Sequence, residues 1–107
     1  MVDNTAILAR RIDQALGREP ADLVIKNTRY LNVIDGQLVA GDIAVTGDTI
    51  VGVQADYHGR REVDGRGKVV VPGFIDTHVH VESTCISPWD FDRAVLPRGT
   101  TTAICDP

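Results

Sequence analysis

The stretch that most constrains this chain is Val69–Glu82, which reads V-V-V-P-G-F-I-D-T-H-V-H-V-E. A proline-glycine pair interrupts an apolar β run, and a second strand follows it. Because successive side chains of a strand point to opposite faces, His78 and His80 are predicted to share one face. Asp76 and Glu82 join them if the strand geometry continues, whereas the other face is almost wholly apolar. This combination predicts a metal site at the end of a buried strand.

The histidine strand opens a strand–helix–strand pattern. The first strand is predicted at Phe74–His80 and the second at Thr100–Cys105, which three threonines open. Between them, Ser87 is a good helix N-cap, Pro88 suits the first helical position, and Gly99 ends the segment. Such a unit predicts two parallel strands joined by a right-handed crossover.

The residues that precede this unit predict a small β-rich domain. Residues 1–20 hold a helix at Asn4–Leu16, whose apolar residues Leu8, Ile12, Ala15 and Leu16 are spaced to form one packing face. Residues 21–71 contain short β runs separated by turn residues, and Asp35-Gly36 is a strong hairpin signal. Short, evenly spaced strands joined by hairpins predict a small antiparallel sandwich.

The polar stretch Tyr57–Gly67 is predicted mostly as loop, with one further short pairing segment at Glu62-Val63. His58 lies in this stretch and is interpreted as a solvated loop residue. The other strands of the domain are predicted at Asp22–Asn27, Arg29–Ile34, Gln37–Ala40, Asp42–Thr46, Thr49–Gln54 and Lys68–Val71.

Parallel strands are normally covered on both faces and occur in large α/β sheets or barrels. A (β/α)₈ barrel needs roughly 250 residues, whereas this chain has 107 residues and stops just after its second parallel strand. The predicted fold class is therefore α/β: a small β-sandwich domain followed by the start of a TIM-like barrel, truncated after the second strand. Residues 72–107 are its first βαβ unit, and the chain is expected to be the N-terminal part of a longer protein.

The composition of the chain limits the kinds of partner and the cellular compartment that we expect. The net charge is −4 and the sequence pI about 5.2, which does not predict a surface for nucleic acid. No signal peptide is recognisable, and no apolar run approaches the ~20 residues needed to cross a bilayer. Cys85 and Cys105 lack Cys-x-x-Cys spacing and are interpreted as reduced thiols. The expected location is the cytoplasm, with no membrane or nucleic-acid partner.

The predicted site combines imidazole and carboxylate groups. Two imidazoles at i and i+2 of one strand can both bind a metal through nitrogen, with nearby carboxylates as ligands or orienting groups. Asp76 sits deeper, where an orienting or purely structural hydrogen bond is expected. Glu82 has three open roles: metal ligand, substrate contact or solvated side chain. Asp106 either joins the histidines at the same rim or forms a turn before the final proline.

At these residues the chain resembles a known family. P-G-F-I-D-T-H-V-H at Pro72–His80 resembles the strand-one signature of the amidohydrolase superfamily. V-E-S-T at Val81–Thr84, A-V-L-P-R-G-T-T-T at Ala94–Thr102 and C-D-P at Cys105–Pro107 are similar to the adenine deaminases within it. The preceding β domain also resembles the composite sandwich that such enzymes build around their barrels.

The resemblance implies hydrolytic deamination of adenine to hypoxanthine and ammonia, with adenine as the small-molecule partner. A divalent metal, manganese or iron with zinc as the alternative, would activate a water that attacks C6 of the purine. By resemblance, His78 and His80 are metal ligands, and Glu82 and Asp106 are the catalytic candidates. Further ligands come from later barrel strands in the family, so the 107-residue chain alone is expected to be inactive. A homo-oligomer is an additional expectation.

Two alternatives remain open from the sequence. Within the superfamily, the chain is also compatible with a cyclic amidase of the dihydroorotase or hydantoinase kind. Outside it, the chain could be a non-catalytic β module that serves in binding or interaction, in which the two histidines are incidental. Retention of metal separates this module from the enzymes, and a substrate panel separates the enzymes from one another.

Overall fold

The computed structural model describes residues 4–53 and 56–105. Two compact units make up the chain, Met1–Val71 and Pro72–Pro107. Of the positions singled out in the sequence, Gln54 and Asp106 lie outside the described residues.

The first unit begins with helix α1, Asn4–Ala15, close to the predicted span. Gly17 follows it with a φ of +71°, a left-handed conformation that favours glycine at the end of a helix. The predicted packing face is wrong, because Leu8, Ile12 and Leu16 are 59%, 48% and 59% exposed. The helix instead buries the side chain of Gln14 completely.

Five strands follow α1 and form one mixed sheet in the order β3-β2-β1-β4, with β5 also paired to β1. β1 is antiparallel to β2, and β2 is antiparallel to β3, whereas β4 and β5 run parallel to β1. The antiparallel arrangement predicted for this domain is therefore wrong where β4 and β5 pair with β1, whereas the sandwich of which residues 21–71 would be a part remains a prediction. The strands are β1 Ala21–Asn32, β2 Gln37–Thr46, β3 Thr49–Val53, β4 Gly59–Asp64 and β5 Val69–Val70.

The chain contains fewer and longer strands than the sequence pattern predicts. The two strands predicted before the first hairpin are one strand, β1, because the irregularity near Asn27 is absorbed as a register shift between Ile25 and Thr28. Gly41 likewise stays in the ladder, opposite Thr28, so β2 is continuous. The pairing segment predicted at Glu62-Val63 is confirmed, but the loop prediction around it is wrong, because β4 runs over Gly59–Asp64. Its polar side chains are largely exposed while its backbone pairs with β1.

The core of this unit is small and partly polar. Ala21, Val24, Ala44 and Tyr57 form the buried apolar cluster, and Val51 packs against it. The buried polar residues are Gln14, Thr28, Asp42 and Thr46. Buried polar groups destabilise a fold unless they are hydrogen-bonded, so the contacts of these side chains matter for stability.

The second unit is the predicted βαβ unit. Strand β6, Phe74–Val79, lies parallel to β7, Thr100–Cys105, and helix α2, Pro88–Val95, connects them. Short 3₁₀ helices flank α2 at Val81–Thr84 and Leu96–Arg98. It remains a prediction that these two strands are the first strands of a barrel.

Helix α2 begins with the predicted capping arrangement. The hydroxyl of Ser87 accepts a hydrogen bond from the Asp90 backbone amide at 3.2 Å and donates to Oδ2 of Asp90 at 2.7 Å. Pro88 occupies the first turn, where its missing N–H costs nothing. This capped helix returns the chain to the start of β7, so both strands end at the same edge of the pair.

Candidate metal site

A bulge in β6 spans residues 76–79, which include the first histidine of the pair. Asp76 pairs with Ala103 and Val79 with Cys105, so β6 has one residue more than β7 across this interval. Bulges re-aim side chains and are frequent beside functional sites. Because of this extra residue, the simple alternation that places Asp76 on the histidine face does not hold through residues 76–79.

The structure brings the two predicted metal ligands together. Nε2 of His78 lies 3.0 Å from Nε2 of His80. The two rings meet edge to face, with centroids 4.8 Å apart and an interplanar angle of 73°. Both Nε2 atoms therefore converge on one point at the end of β6.

Glu82 reaches this pair from the 3₁₀ helix Val81–Thr84. The amide of Ser83 donates to the His80 carbonyl at 3.2 Å, and the hydroxyl of Thr84 donates to the Val81 carbonyl at 2.6 Å. These bonds fold the backbone back on itself, and Oε1 of Glu82 lies 2.7 Å from Nδ1 of His80. The sequence left the role of Glu82 open, and this contact favours an orienting role.

The carboxylate of Glu82 is held in its ionised form. The backbone amide of Glu82 itself and the hydrogen bond with His80 lower the pKa of this carboxyl, against the opposing effect of desolvation. The hydroxyl of Ser83 also donates to Oε1 at 3.4 Å. At neutral pH Glu82 is therefore only a hydrogen-bond acceptor.

The remaining candidates make other contacts, are exposed or fall outside the described residues. Oδ1 of Asp76 accepts from the backbone amide of His78 at 3.2 Å, which is a structural hydrogen bond to the strand. Asp106 lies outside the described residues. The side chain of His58 is 84% exposed, in keeping with a solvated position. Cys85 and Cys105 are free and exposed thiols.

The donor set fits part of a metal site. Nitrogen ligands lie about 2.0–2.1 Å from zinc, so two nitrogens on one ion lie at most about 4.2 Å apart. The 3.0 Å between the Nε2 atoms of His78 and His80 satisfies that limit. Glu82 bonds the opposite nitrogen of His80, as carboxylates commonly do behind a metal-binding histidine. Within residues 4–53 and 56–105, however, no group of three or more His, Cys, Asp or Glu is placed to hold an ion.

Comparison with known proteins bears directly on this segment. Residues 69–107 match the Amidohydrolase family. The resemblance inferred from the histidine strand is thereby confirmed.

Curated proteins are similar to nearly the whole chain, and their names are more specific than that of the family. Adenine deaminase 1 of Agrobacterium fabrum is 61% identical over 100 residues, which are 94% of this chain and 17% of that protein. Adenine deaminase of Sinorhizobium fredii is 59% identical over 100 residues, or 94% of this chain and 18% of that protein. The chain thus spans less than a fifth of the length of these relatives.

Solved structures of amidohydrolases resemble the fold. A D-aminoacylase, described as having a binuclear metal center, matches 80% of this chain and 18% of its own with a TM-score of 0.68 and 30% identity. The N-acyl-D-glutamate deacylase of Bordetella bronchiseptica matches 81% of this chain and 19% of its own, with a TM-score of 0.68 and 26% identity. That deacylase was solved with zinc and a phosphonate that mimics a tetrahedral intermediate.

The part of the chain that the structure describes contains no helix long and apolar enough to span a membrane.

Proposed function

We propose that this chain contributes the first two ligands to the metal centre of a hydrolase that converts adenine to hypoxanthine and ammonia. The observation that carries the proposal is the convergence of Nε2 of His78 and Nε2 of His80, 3.0 Å apart, within the segment that matches the Amidohydrolase family. The 61% identity to an adenine deaminase supports adenine as the substrate.

The residues of the site have separate tasks in this proposal. His78 and His80 bind the ion through Nε2, and Glu82 orients the ring of His80 through Nδ1. Asp106 is proposed as a catalytic group. When bound, the ion lowers the pKa of a water so that hydroxide is available near neutral pH. Manganese or iron is the proposed metal, and zinc is the alternative that the deacylase structure supports.

The proposal requires ligands beyond those described. Catalytic zinc sites use three protein ligands and keep one position open, whereas the described residues provide two histidines at one point. We propose that β6 and β7 start a (β/α)₈ barrel, in which several strand ends together form the site. The 107-residue chain alone is then expected to produce no hypoxanthine.

Hydrolysis of an amide bond is the second candidate, which the likeness to D-aminoacylase and N-acyl-D-glutamate deacylase supports. The cyclic amidases of the dihydroorotase or hydantoinase kind belong to the same chemical class. Adenine ranks first because the identity to the adenine deaminases is about twice that to the amide hydrolases, 61% against 30%.

Metal retention by the protein that carries this chain at the length of its relatives tests the site. That protein is loaded with zinc or manganese, dialysed, and analysed for metal by mass spectrometry. We expect retention that His78→Ala and His80→Ala abolish and that His58→Ala, the control, preserves. Equal metal content in all four proteins would overturn the site and favour a non-catalytic β module.

Turnover by the protein that carries this chain at the length of its relatives tests the substrate. Adenine, dihydroorotate, hydantoin and an N-acyl-D-glutamate are offered separately, and products are separated by chromatography. We expect hypoxanthine from adenine alone, and its loss in His80→Ala. Hydrolysis of an amide in place of adenine would replace the first candidate with the second.

A further inference from the structure

Helix α1 turns its apolar residues outward. Leu8, Ile12 and Leu16 recur every four residues, so they lie along one side of the helix, here called the outer ridge. Leu16 continues the helical bonding, because its amide donates to the Ile12 carbonyl at 2.9 Å. All three side chains are about half exposed, whereas Gln14 on the opposite side is fully buried. The apolar stripe of a surface helix ordinarily faces the core, so α1 has the reverse arrangement.

Polar contacts hold α1 in this orientation. The side-chain amide of Gln14 donates to the Pro20 carbonyl at 3.0 Å and accepts from the hydroxyl of Thr46 at 2.7 Å. Arg10, on the same side of the helix, donates to Asp22 at 2.6 Å. Rolling the helix until the outer ridge faced inward would break these bonds and leave the buried hydroxyl of Thr46 without its acceptor, which is costly. The contacts of the helix therefore fix the exposed position of the outer ridge.

The chemistry of the outer ridge favours an uncharged, aliphatic partner surface. Ala9 and Ala15 flank the ridge on its two sides, and small side chains beside a ridge leave grooves into which the side chains of a partner can pack. The charged residues of α1 each bond an opposite charge elsewhere in the chain, and these residues are Arg10, Arg11 and Asp13. Burial of aliphatic surface, and not ion pairing, is therefore what stabilises a contact here.

We propose that the outer ridge is the docking surface for an aliphatic face of the same polypeptide, from the part that lies outside these 107 residues. The curated relatives support this occupant. The chain spans only 17% and 18% of the two adenine deaminases, although 94% of it aligns with each of them. In a protein of that length, most of the polypeptide is available to cover the ridge.

A second copy of the protein fits the outer ridge less well. A stable interface between two molecules uses about 20–30 residues on each side, whereas the ridge offers three large side chains. Association also costs translational and rotational freedom, which a segment of the same polypeptide does not lose because its covalent connection keeps it nearby. A membrane surface is disfavoured too. Helices that lie on membranes expose basic residues on their polar face, but Arg10 and Arg11 bond carboxylates.

Photo-crosslinking identifies the occupant directly. In the protein that carries this chain at the length of its relatives, benzoylphenylalanine replaces Ile12 in one variant and Leu16 in another. Irradiation is followed by electrophoresis and by mass spectrometry of the peptides. We expect a crosslink at the mass of one subunit, to a peptide outside residues 1–107. Benzoylphenylalanine in place of Glu19, an exposed residue beyond the helix, is the control and should give far less of this product.

Every other product contradicts the proposal. A crosslinked species at twice the subunit mass would assign the outer ridge to a second copy. A crosslink that forms only after vesicles of anionic phospholipid are added would assign it to a membrane surface. Absence of any crosslink from position 12 and position 16, in variants that keep the circular dichroism of the wild type, would show that the ridge remains solvated.

Thermal stability gives a measurement that needs no probe. If the outer ridge is covered, Ile12→Ala leaves a cavity and should lower the melting temperature of the same protein by several degrees. Arg18→Ala is the control, because this side chain is 68% exposed and bonds only the nearby Asp13 among the described residues. Exposed ion pairs contribute little, so its melting temperature should match the wild type. Equal melting temperatures of the two variants would overturn the docking surface. Neither experiment involves zinc or adenine, so failure here is distinct from failure of the proposed function.

Discussion

The ammonium nitrogen of Lys26 lies 2.6 Å from Oδ2 of Asp42, and the two side chains are only 19% and 10% exposed. Asp42 also accepts from the backbone amides of Asn27 at 3.1 Å and Tyr57 at 3.2 Å. Lys26 in turn donates to Asp56 at 2.6 Å and to the Tyr57 carbonyl at 2.9 Å. One buried carboxylate thus joins the bulge of β1 to the segment that carries the core residue Tyr57.

Asp42→Ala is expected to destabilise the first unit by about 2–3 kcal/mol. Removing one partner of a buried ion pair typically costs about 3–5 kcal/mol, and the exposed Asp56 moderates the loss by still partnering Lys26. The two backbone amides also lose their acceptor. Urea unfolding followed by circular dichroism measures the change.

Asp48→Ala is the matched control for that variant. Asp48 pairs with Arg11 at 3.1 Å, but its side chain is 90% exposed. Exposed ion pairs contribute about 0–1 kcal/mol, so this variant should unfold close to the wild-type urea concentration. Equal losses from Asp42→Ala and Asp48→Ala would mean that burial does not strengthen the Lys26 pair.

The same pair predicts how stability depends on pH. Burial opposes ionisation of Asp42, but hydrogen bonds from Lys26 and from the amides of Asn27 and Tyr57 outweigh it and lower the pKa. Hydrogen bonds with Asp42 and Asp56 raise the pKa of Lys26, against a smaller effect of burial. The contribution of Asp42 is present above its unfolded pKa of about 3.9 and is lost as pH falls through the folded value. That of Lys26 is present below about 10.4 and is lost as pH rises through the folded value.

Unfolding free energies of wild type and Asp42→Asn, measured in urea from about pH 2 to pH 9, test this dependence. The difference between the two proteins should be constant from about pH 5 to pH 9 and should shrink below about pH 4. A difference that stays constant down to pH 2 would show that Asp42 does not titrate with folding.

The sequence predicted what depends on local pattern. Helix α1, the Ser87 cap and the parallel strands β6 and β7 all follow from residues near one another in the chain. The full length of β4 does not, because an exposed edge strand needs no apolar alternation and the polar residues around the predicted Glu62-Val63 segment resemble a loop. In the sequence, Asn27 likewise indicates a break between two strands. In the structure, the backbone amide of Asn27 donates a hydrogen bond to Asp42, and β1 continues past this residue.

The candidate site also has some features that the sequence predicts and others that it does not. The convergence of His78 and His80 was predictable from their i, i+2 spacing on a strand. The bulge between Asp76 and Val79 was not, since it depends on the register with β7. The contact between Glu82 and His80 requires the chain to leave the strand and turn, which the alternation pattern alone does not predict.

Gln14 makes buried polar contacts that the spacing of apolar residues in α1 does not predict. Its Oε1 accepts from the Thr46 hydroxyl at 2.7 Å, and its Nε2 donates to the Pro20 carbonyl at 3.0 Å. Thr46→Val keeps the shape but leaves Oε1 buried without that donor, which should cost about 1–3 kcal/mol. Thr49→Val, at a hydroxyl that bonds the exposed Asp48, is the control and should be nearly neutral.

A double-mutant cycle completes this prediction. Gln14→Leu in the Thr46→Val background replaces both partners by apolar groups, which can be nearly neutral relative to leaving one unpaired. The second substitution should therefore cost less in the valine background than in the wild type, in urea unfolding. Strictly additive losses would show that the two side chains are not coupled.

Gly73 sets how closely β6 can start beside β7. A Cβ at this position would overlap Oγ1, Cγ2 and Cβ of Thr101. Gly73→Ala should therefore force the two strands apart and destabilise the second unit by about 1–3 kcal/mol, as overpacking does. Thr101→Ala removes the two nearest atoms, so Gly73→Ala should cost less in that background.

Because β6 carries His78 and His80, zinc affinity should fall in Gly73→Ala and recover partly in the double variant. Thermal unfolding, followed by the fluorescence of Trp89, measures the loss of stability in each background. An equal loss in both backgrounds would show that the side chain of Thr101 is not what requires a glycine at position 73.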